Sequence, residues 1–252
     1  MDQFKNPLAS HEHSLELLKQ LYEYDSFMDS LRVVADMGCG TGHDINWFGS
    51  LWTRDDPPEP HNYICYGVDK TLRLVDPEIR ENPNITFIEN TFEQDRVIPR
   101  DIDFIWCHDA FQYAVNPLNT LKNWYNNMSL NGMLMLSIPM HQSYHYNRLV
   151  NRSVNGCYYT YNIVNLMYML AVNGFDCKDC YFNMSLNDSW LTAAVYKTDV
   201  APMDPATTTW YDLAEQDLLN DSAVASLNTW GHVRQEDLIF MWLNKDWRLA
   251  KN

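Results

Sequence analysis

The chain has 252 residues, a hydrophobic fraction of 46% and a formal net charge of -15. That supplies the core of one large α/β domain with appendages, or of one domain and a small second one. The acid excess repels a long phosphate backbone, which argues against DNA or RNA as partner. No stretch approaches the roughly 20 apolar residues of a membrane span.

Met1 to Ser10 is polar and lacks the charged-then-apolar layout of a secretory leader, so a cytoplasmic location is expected. Leu15, Leu18, Leu21 or Tyr22, and Met28 recur at helical spacing and predict a helix over 11–30. His11-Glu12-His13 at its start reads as a solvated helix beginning rather than a metal site. A first strand over 31–35 runs into Asp36, Gly38, Gly40 and Gly42, and a helix over 43–51 follows. An apolar run that ends in a glycine-rich bend is the signature of a buried parallel strand turning at its carboxyl end. The crevice beyond such strand ends is where open α/β sheets take ligands.

After a polar, proline-rich loop at 53–60, a second strand over 63–68 ends at Asp69. Short strands over 85–88 and 102–107 come next, each introduced by a turn containing proline. Asn116-Pro117 opens a helix to about residue 128, and Asn131-Gly132 turns the chain into a fifth strand over 133–138. A helix over 161–172 is capped by Asn173-Gly174, and strands over 175–184 and 190–197 form a hairpin. Helices are expected over 210–219 and 235–249, the latter apolar around much of its circumference and in need of cover. Cys177 and Cys180 form a C-x-x-C inside a strand, where positions three apart face opposite sides; neither redox chemistry nor zinc is expected there.

The glycine spacing narrows the ligand. A dinucleotide fingerprint wants G-x-G-x-x-G, and a phosphate loop wants Gly-Lys-Ser/Thr. Here the pattern is G-x-G-x-G with an acid two residues ahead, which suits a ligand carrying a cationic amine or sulfonium and disfavours a nicotinamide cofactor. Asp36-Met37-Gly38-Cys39-Gly40-Thr41-Gly42 resembles the D/E-x-G-x-G-x-G motif of the class I S-adenosylmethionine-dependent methyltransferases, and Gly67-Val68-Asp69-Lys70 resembles their second motif.

The resemblance covers about 31–198. It implies an α/β fold: a doubly wound, seven-stranded, mostly parallel sheet with a closing antiparallel hairpin. Residues 1–198 would be the methyltransferase domain with its N-terminal helix, and 199–252 a helical extension packed on the core. S-adenosylmethionine would be the cofactor, with Asp36, Gly38, Cys39 and Gly40 as contacts, Asp69 on the ribose and Lys70 beside the adenine. The third motif departs from the family, which often has an Asp after the third strand. Asn90 or Thr91 is left to accept from the adenine amine, and the Phe92 amide to serve the ring nitrogen.

The segment from Cys107 to Tyr113 would lie beneath the methyl donor, with Cys107 as a further contact and His108 as the candidate general base. A cofactor-contacting or structural His108 stays open beside that role, with His141 and His145 as second choices for the base. Tyr144, Tyr146, Tyr158 and Tyr159, with Tyr22 and Tyr24 of the first helix, are the candidate acceptor wall. The resemblance therefore implies transfer to a small-molecule acceptor in a closed pocket. The partner expectations are no nucleic acid, no membrane and no metal, with a homo-oligomer allowed. The alternative is a methyltransferase-fold binding or assembly subunit without turnover.

Overall fold

The computed structural model describes residues 12–22, 31–51, 59–139, 158–185 and 190–240. In chain order the elements are α1 (Glu12–Tyr22), β1 (Val33–Met37), α2 (His43–Gly49), β2 (Ile64–Asp69), α3 (Pro77–Arg80), β3 (Ile85–Glu89) and β4 (Ile102–His108). There follow α4 (Pro117–Asn127), β5 (Met128–Pro139), α5 (Ile163–Val172), β6 (Phe175–Ser185), β7 (Trp190–Lys197), α6 (Trp210–Glu215) and α7 (Asp221–Trp230). The seven strands form one sheet in the order β3-β2-β1-β4-β5-β7-β6. Strands β1 to β5 pair in parallel and β7 runs antiparallel to both β5 and β6. This is the doubly wound sheet with a closing hairpin that the strand pattern predicts. No described helix is long and apolar enough to cross a membrane.

The sheet divides the core in two. Side chains alternate across each strand, so Val33, Ala35 and Met37 join Leu121, Leu166 and Leu170 on one face. Val34, Phe104 and Trp106 join Leu17, Leu18, Leu21 and Phe48 under α1 and α2 on the other. Every residue of β1 is buried, as a central parallel strand covered on both faces must be. At the amino ends of the strands one carboxylate ties the sheet together. Asp103 accepts from the Arg32 and Val33 amides at 3.1 and 2.9 Å and from the Ser129 hydroxyl at 2.7 Å.

Four local expectations are corrected. The turn expected at Asn131-Gly132 lies inside β5: Asn131 adopts a left-handed φ of 62° and the register against β4 shifts between Ile102 and Phe104, so the strand bulges instead of ending. Cys177 and Cys180 do not face opposite sides. The register of β6 shifts between Asp176 and Tyr181, and both thiols are buried in the same core cluster, unbonded to each other.

The helix expected over 210–219 stops at Glu215 because Asp217 takes a left-handed φ of 59°. Released from the helix, Leu218 and Leu219 pair with Cys177 along the outer edge of β6. The helix expected over 235–249 is absent over 235–240: one 3-10 turn (Gln235–Asp237) is followed by buried Leu238, exposed Ile239 and buried Phe240, the alternation of extended chain. Its remainder falls outside the described residues. Helix α7, between its Asn220 cap and a left-handed Gly231, is an element the pattern did not single out. Leu213, Ala223, Leu227 and Phe240 all enter the core cluster on the α4 and α5 face.

Asp103→Ala removes three hydrogen bonds from one half-buried acceptor. The expected loss is about 2–4 kcal/mol in urea unfolding, with ligand affinity unaffected because the residue lies at the opposite end of the strands from the glycine turn. A loss below about 0.5 kcal/mol would show that the strand ends are held by other means.

Candidate functional site

The glycine turn is built on β2. The Gly38 and Cys39 amides both donate to the Val68 carbonyl, at 2.8 and 3.1 Å, and the Gly42 amide closes onto Cys39 at 2.8 Å. Two of the glycines do different things. A Cβ on Gly38 (φ 93°) would sit 2.3 Å from the Ala110 Cβ, so the missing side chain lets the turn touch the segment after β4. A Cβ on Gly40 (φ 51°) would meet nothing within 4 Å, which leaves an open face of bare backbone. The Gly40 amide donates to Asp69 Oδ2 at 3.0 Å, and Asp69 Oδ1 accepts from the Thr71 amide at 3.2 Å. Asp69 is half-buried at the tip of β2, and Lys70 beside it is exposed. The Gly40–Asp69 bond thus ties the glycine turn of the first motif to the acid of the second, at the carboxyl ends of β1 and β2.

Asp36 is not at the open face of that turn. Its carboxylate is 2% exposed and lies under the first turn of α2, where the Ile45 amide stabilises it. Burial, with Asp44 and Asp69 nearby, raises its carboxyl well above the ordinary range. Asp44, also buried, accepts from the Trp106 indole at 3.0 Å and from the Ser14 hydroxyl at 3.2 Å. The sequence reading missed Asp44; its position in the first turn of a helix next to the glycine motif was the available signal. The Cys39 and Cys107 thiols are buried, 3% and 0% exposed, and both are pushed up by desolvation and by Asp36. The Cys107 side chain lies in the core on the α4 and α5 face, so only its backbone can border the turn.

The third-motif segment turns away from β3 with the Asn90 amide bonded to the Asp69 carbonyl at 2.9 Å. The Asn90 side chain is folded onto the Thr91 amide at 2.8 Å, and the Thr91 hydroxyl faces Glu93. The Phe92 carbonyl accepts from the Trp124 indole at 2.8 Å, and its ring comes within 3.8 Å of where a Gly38 Cβ would be. Glu93 had no role in the sequence reading. It caps the start of α4, accepting from the Val115 and Asn116 amides at 2.5 and 3.1 Å.

After β4 the backbone of Asp109 takes a left-handed φ of 51° while its amide holds the Ser137 carbonyl at 2.9 Å. The Gln112 side chain donates to Asp109 at 2.6 Å, and the Gln112 carbonyl receives the Tyr158 amide at 3.0 Å. Tyr158 and Tyr159 are thus laid along this segment, 63% and 42% exposed, with the Tyr159 hydroxyl on the Val115 carbonyl. His108, 7% exposed, faces α1, and its Nε2 lies 3.0 Å from His13 Nδ1. His13 is accordingly no solvated helix start: it turns inward and stacks on Trp190 at 4.7 Å. Tyr22 packs edge-on against Trp47 under α1. Tyr24, His141, Tyr144, His145 and Tyr146 fall outside the described residues. Among those described, no group of three or more metal-ligating side chains converges.

No protein-family model matches the chain. Among curated proteins it is similar to malonyl-(acyl-carrier protein) O-methyltransferase 2 of Coxiella burnetii, 26% identical over 125 residues, or 50% of this chain and 47% of that protein. It is also similar to the malonyl-(acyl-carrier protein) O-methyltransferase of Bacillus cereus, 26% identical over 145 residues, or 57% and 49%. The chain spans about half the length of these curated relatives. Among solved structures, magnesium protoporphyrin IX methyltransferase from Synechocystis PCC 6803, with bound SAH, shares the fold at a TM-score of 0.53 and 14% identity, over 74% of this chain and 82% of that one. The sequence relatives are methyltransferases by name and the solved neighbour shares the fold, so the chain is similar to the class I S-adenosylmethionine-dependent methyltransferases, whose first motif 36–42 resembles.

Proposed function

We propose that the chain binds S-adenosylmethionine between the glycine turn and Asp69 and transfers its methyl group to a small-molecule acceptor. The observation that carries this reading is the 3.0 Å bond from the Gly40 amide to the Asp69 carboxylate, which brings the two motifs into contact. The residues present fit such a donor. An acid at the tip of the second strand takes hydrogen bonds from ribose hydroxyls in nucleoside-binding α/β folds. The face of Gly40 is clear where a Cβ would begin to fill it. Phe92 offers an apolar ring beside Gly38, and the Lys70 stem is exposed next to Asp69, able to lie along a ring face.

The donor supplies an electrophilic methyl on a positively charged sulfur. Asp44 and Asp69 supply negative potential that favours such a cation, and Asp36 beside them is a buried carboxyl whose ionisation the cation would in turn favour. Ala110 abuts the turn at Gly38, so an acceptor standing on the segment after β4 would meet the donor there. Holding the two collinear with water excluded supplies much of the rate. A hydroxyl or ammonium acceptor also needs a base, a role we assign to His108 at the end of β4. Tyr158 and Tyr159 border the same segment, and their faces suit a small or cationic acceptor. The relatives' names specify an O-methyl transfer to malonyl-(acyl-carrier protein); for this chain the acid surplus and the aromatic border favour a small molecule and no nucleic acid.

Three outcomes test this reading. In calorimetry, S-adenosylhomocysteine is expected to bind the wild type, and Asp69→Ala to bind about 100-fold more weakly, as the loss of two charge-assisted hydrogen bonds requires. An Asp69→Ala variant that binds like wild type contradicts the assigned pocket.

The glycines separate by mechanism. Gly38→Ala drives a Cβ into Ala110 and is expected to lose about 2–4 kcal/mol of stability. Gly40→Ala strains only the turn and is expected to lose about 1–2 kcal/mol while blocking the ligand face. Equal losses, or undiminished binding in Gly40→Ala, count against this geometry.

For Asp36 the sign follows from its raised carboxyl. The native state holds that proton more tightly than the unfolded chain, so stability falls as pH rises from the ordinary carboxylate range through the raised native value. Asp36→Asn is therefore expected to gain in unfolding midpoint relative to wild type as pH rises from about 4 to 8, and to bind the ligand less well. A difference independent of pH would show that Asp36 is not strained by its burial.

A further inference from the structure

Two imidazoles meet at the carboxyl end of β4. His13 on α1 places Nδ1 3.0 Å from His108 Nε2 and 3.5 Å from Ser137 Oγ, which lies 2.9 Å from Thr192 Oγ1. Trp190 stacks on His13 with planes 5° apart and packs against His108 at 4.7 Å, while Trp106 lies parallel to His108 at 6.0 Å. The pair is thus walled by indoles and hydroxyls, with His13 half-buried and His108 buried.

Two ring nitrogens at this distance need one hydrogen between them, so one ring donates and the other accepts. A neutral pair satisfies that in either tautomer. A singly protonated pair satisfies it with a charge-assisted bond. A doubly protonated pair sets two N–H groups and two like charges head to head, which breaks the contact. The acids nearest the pair are placed to stabilise one positive charge once a neutral pair has taken up a proton. From α2, Asp44 reaches the cluster through Ser14 and the Trp106 indole, and from β1, Asp36 lies in register with Trp106. On α1 itself Glu12 and Glu16 are exposed, and β5 and β7 present the neutral Ser137, Thr192 and Trp190.

We infer that His13 and His108 form one proton-holding unit, in which His13 is a positioning residue that fixes the ring and the protonation of His108. Its use in methyl transfer rests on the function proposed above. A hydroxyl or ammonium acceptor would give its proton to the His108 ring as its lone pair forms the bond to the methyl carbon, and the electrons of the breaking carbon–sulfur bond stay on sulfur. The pair then carries one positive charge, held across the 3.0 Å contact and shed to solvent after turnover.

The test is a pH titration of the full chain with 15N-labelled histidine, followed by imidazole NMR. The two rings, assigned through His13→Gln and His108→Gln, are expected to titrate in two coupled steps separated by more than about one pH unit. His13→Phe, which keeps the stacking on Trp190, is expected to reduce His108 to one step displaced by about a unit or more. If His13→Phe does not fold, His13→Gln provides the same comparison. Independent single-site curves in the wild type, or a His108 curve unchanged by either substitution, overturn the inference. Calorimetry with S-adenosylhomocysteine on the same sample keeps the two readings apart. Coupled titration without binding upholds the pair and sinks the donor site, whereas binding with uncoupled rings does the reverse.

Discussion

A backbone amide with no side chain in its way, donating to a carboxylate on the neighbouring strand, organises this molecule. The Gly40–Asp69 bond requires β1 and β2 to lie side by side in parallel, with their carboxyl ends level. It requires a left-handed residue at 40, and it leaves Asp69 half-buried with capacity to accept further hydrogen bonds. The rest of the fold can be understood as support for that arrangement. Asp103 fixes the far ends of the strands, Glu93 fixes α4 against the third-motif segment, and Gly38 lets the turn rest on Ala110.

The support comes at an electrostatic cost that the fold concentrates on one face. Asp36 and Asp44 are both nearly inaccessible, and each is stabilised by specific donors: the Ile45 amide for one, Trp106 and Ser14 for the other. Burying such acids costs stability, and a bound cation nearby would offset that cost. The same face carries the His13–His108 contact, so α1 covers the carboxyl end of β4 with polar chemistry while Leu17, Leu18 and Leu21 supply its apolar anchorage. Polar groups are sorted along the length of the strands: hydrogen-bonded closure at the amino ends, buried acids and imidazoles at the carboxyl ends.

What was legible in the sequence is what local patterning encodes. Apolar runs ending in Asp36 and Asp69 gave the first two strands to within a residue or two, and the glycine spacing placed the turn. What was not legible depends on contacts distant along the chain. His13 looked like a surface residue because its partner is 95 positions away. Cys177 and Cys180 were assigned opposite faces because strand periodicity holds only where register is uninterrupted, and β6 is interrupted between them. The early stop of α6 at Glu215 depends on one left-handed aspartate, a conformation Asp tolerates without demanding it. Asp36 was legible as a candidate cofactor contact but not as buried, since nothing in D-x-G-x-G-x-G says on which side of the turn the carboxylate lies.

The most direct test of this account is a crystal structure with S-adenosylhomocysteine bound. The account predicts both ribose hydroxyls within about 3 Å of the Asp69 carboxylate, backbone of the turn against the ligand at Gly40, and the sulfur directed toward the segment that begins at Asp109. A ligand bound elsewhere, or a ribose that leaves Asp69 untouched with the Gly40 face still bare, would contradict it.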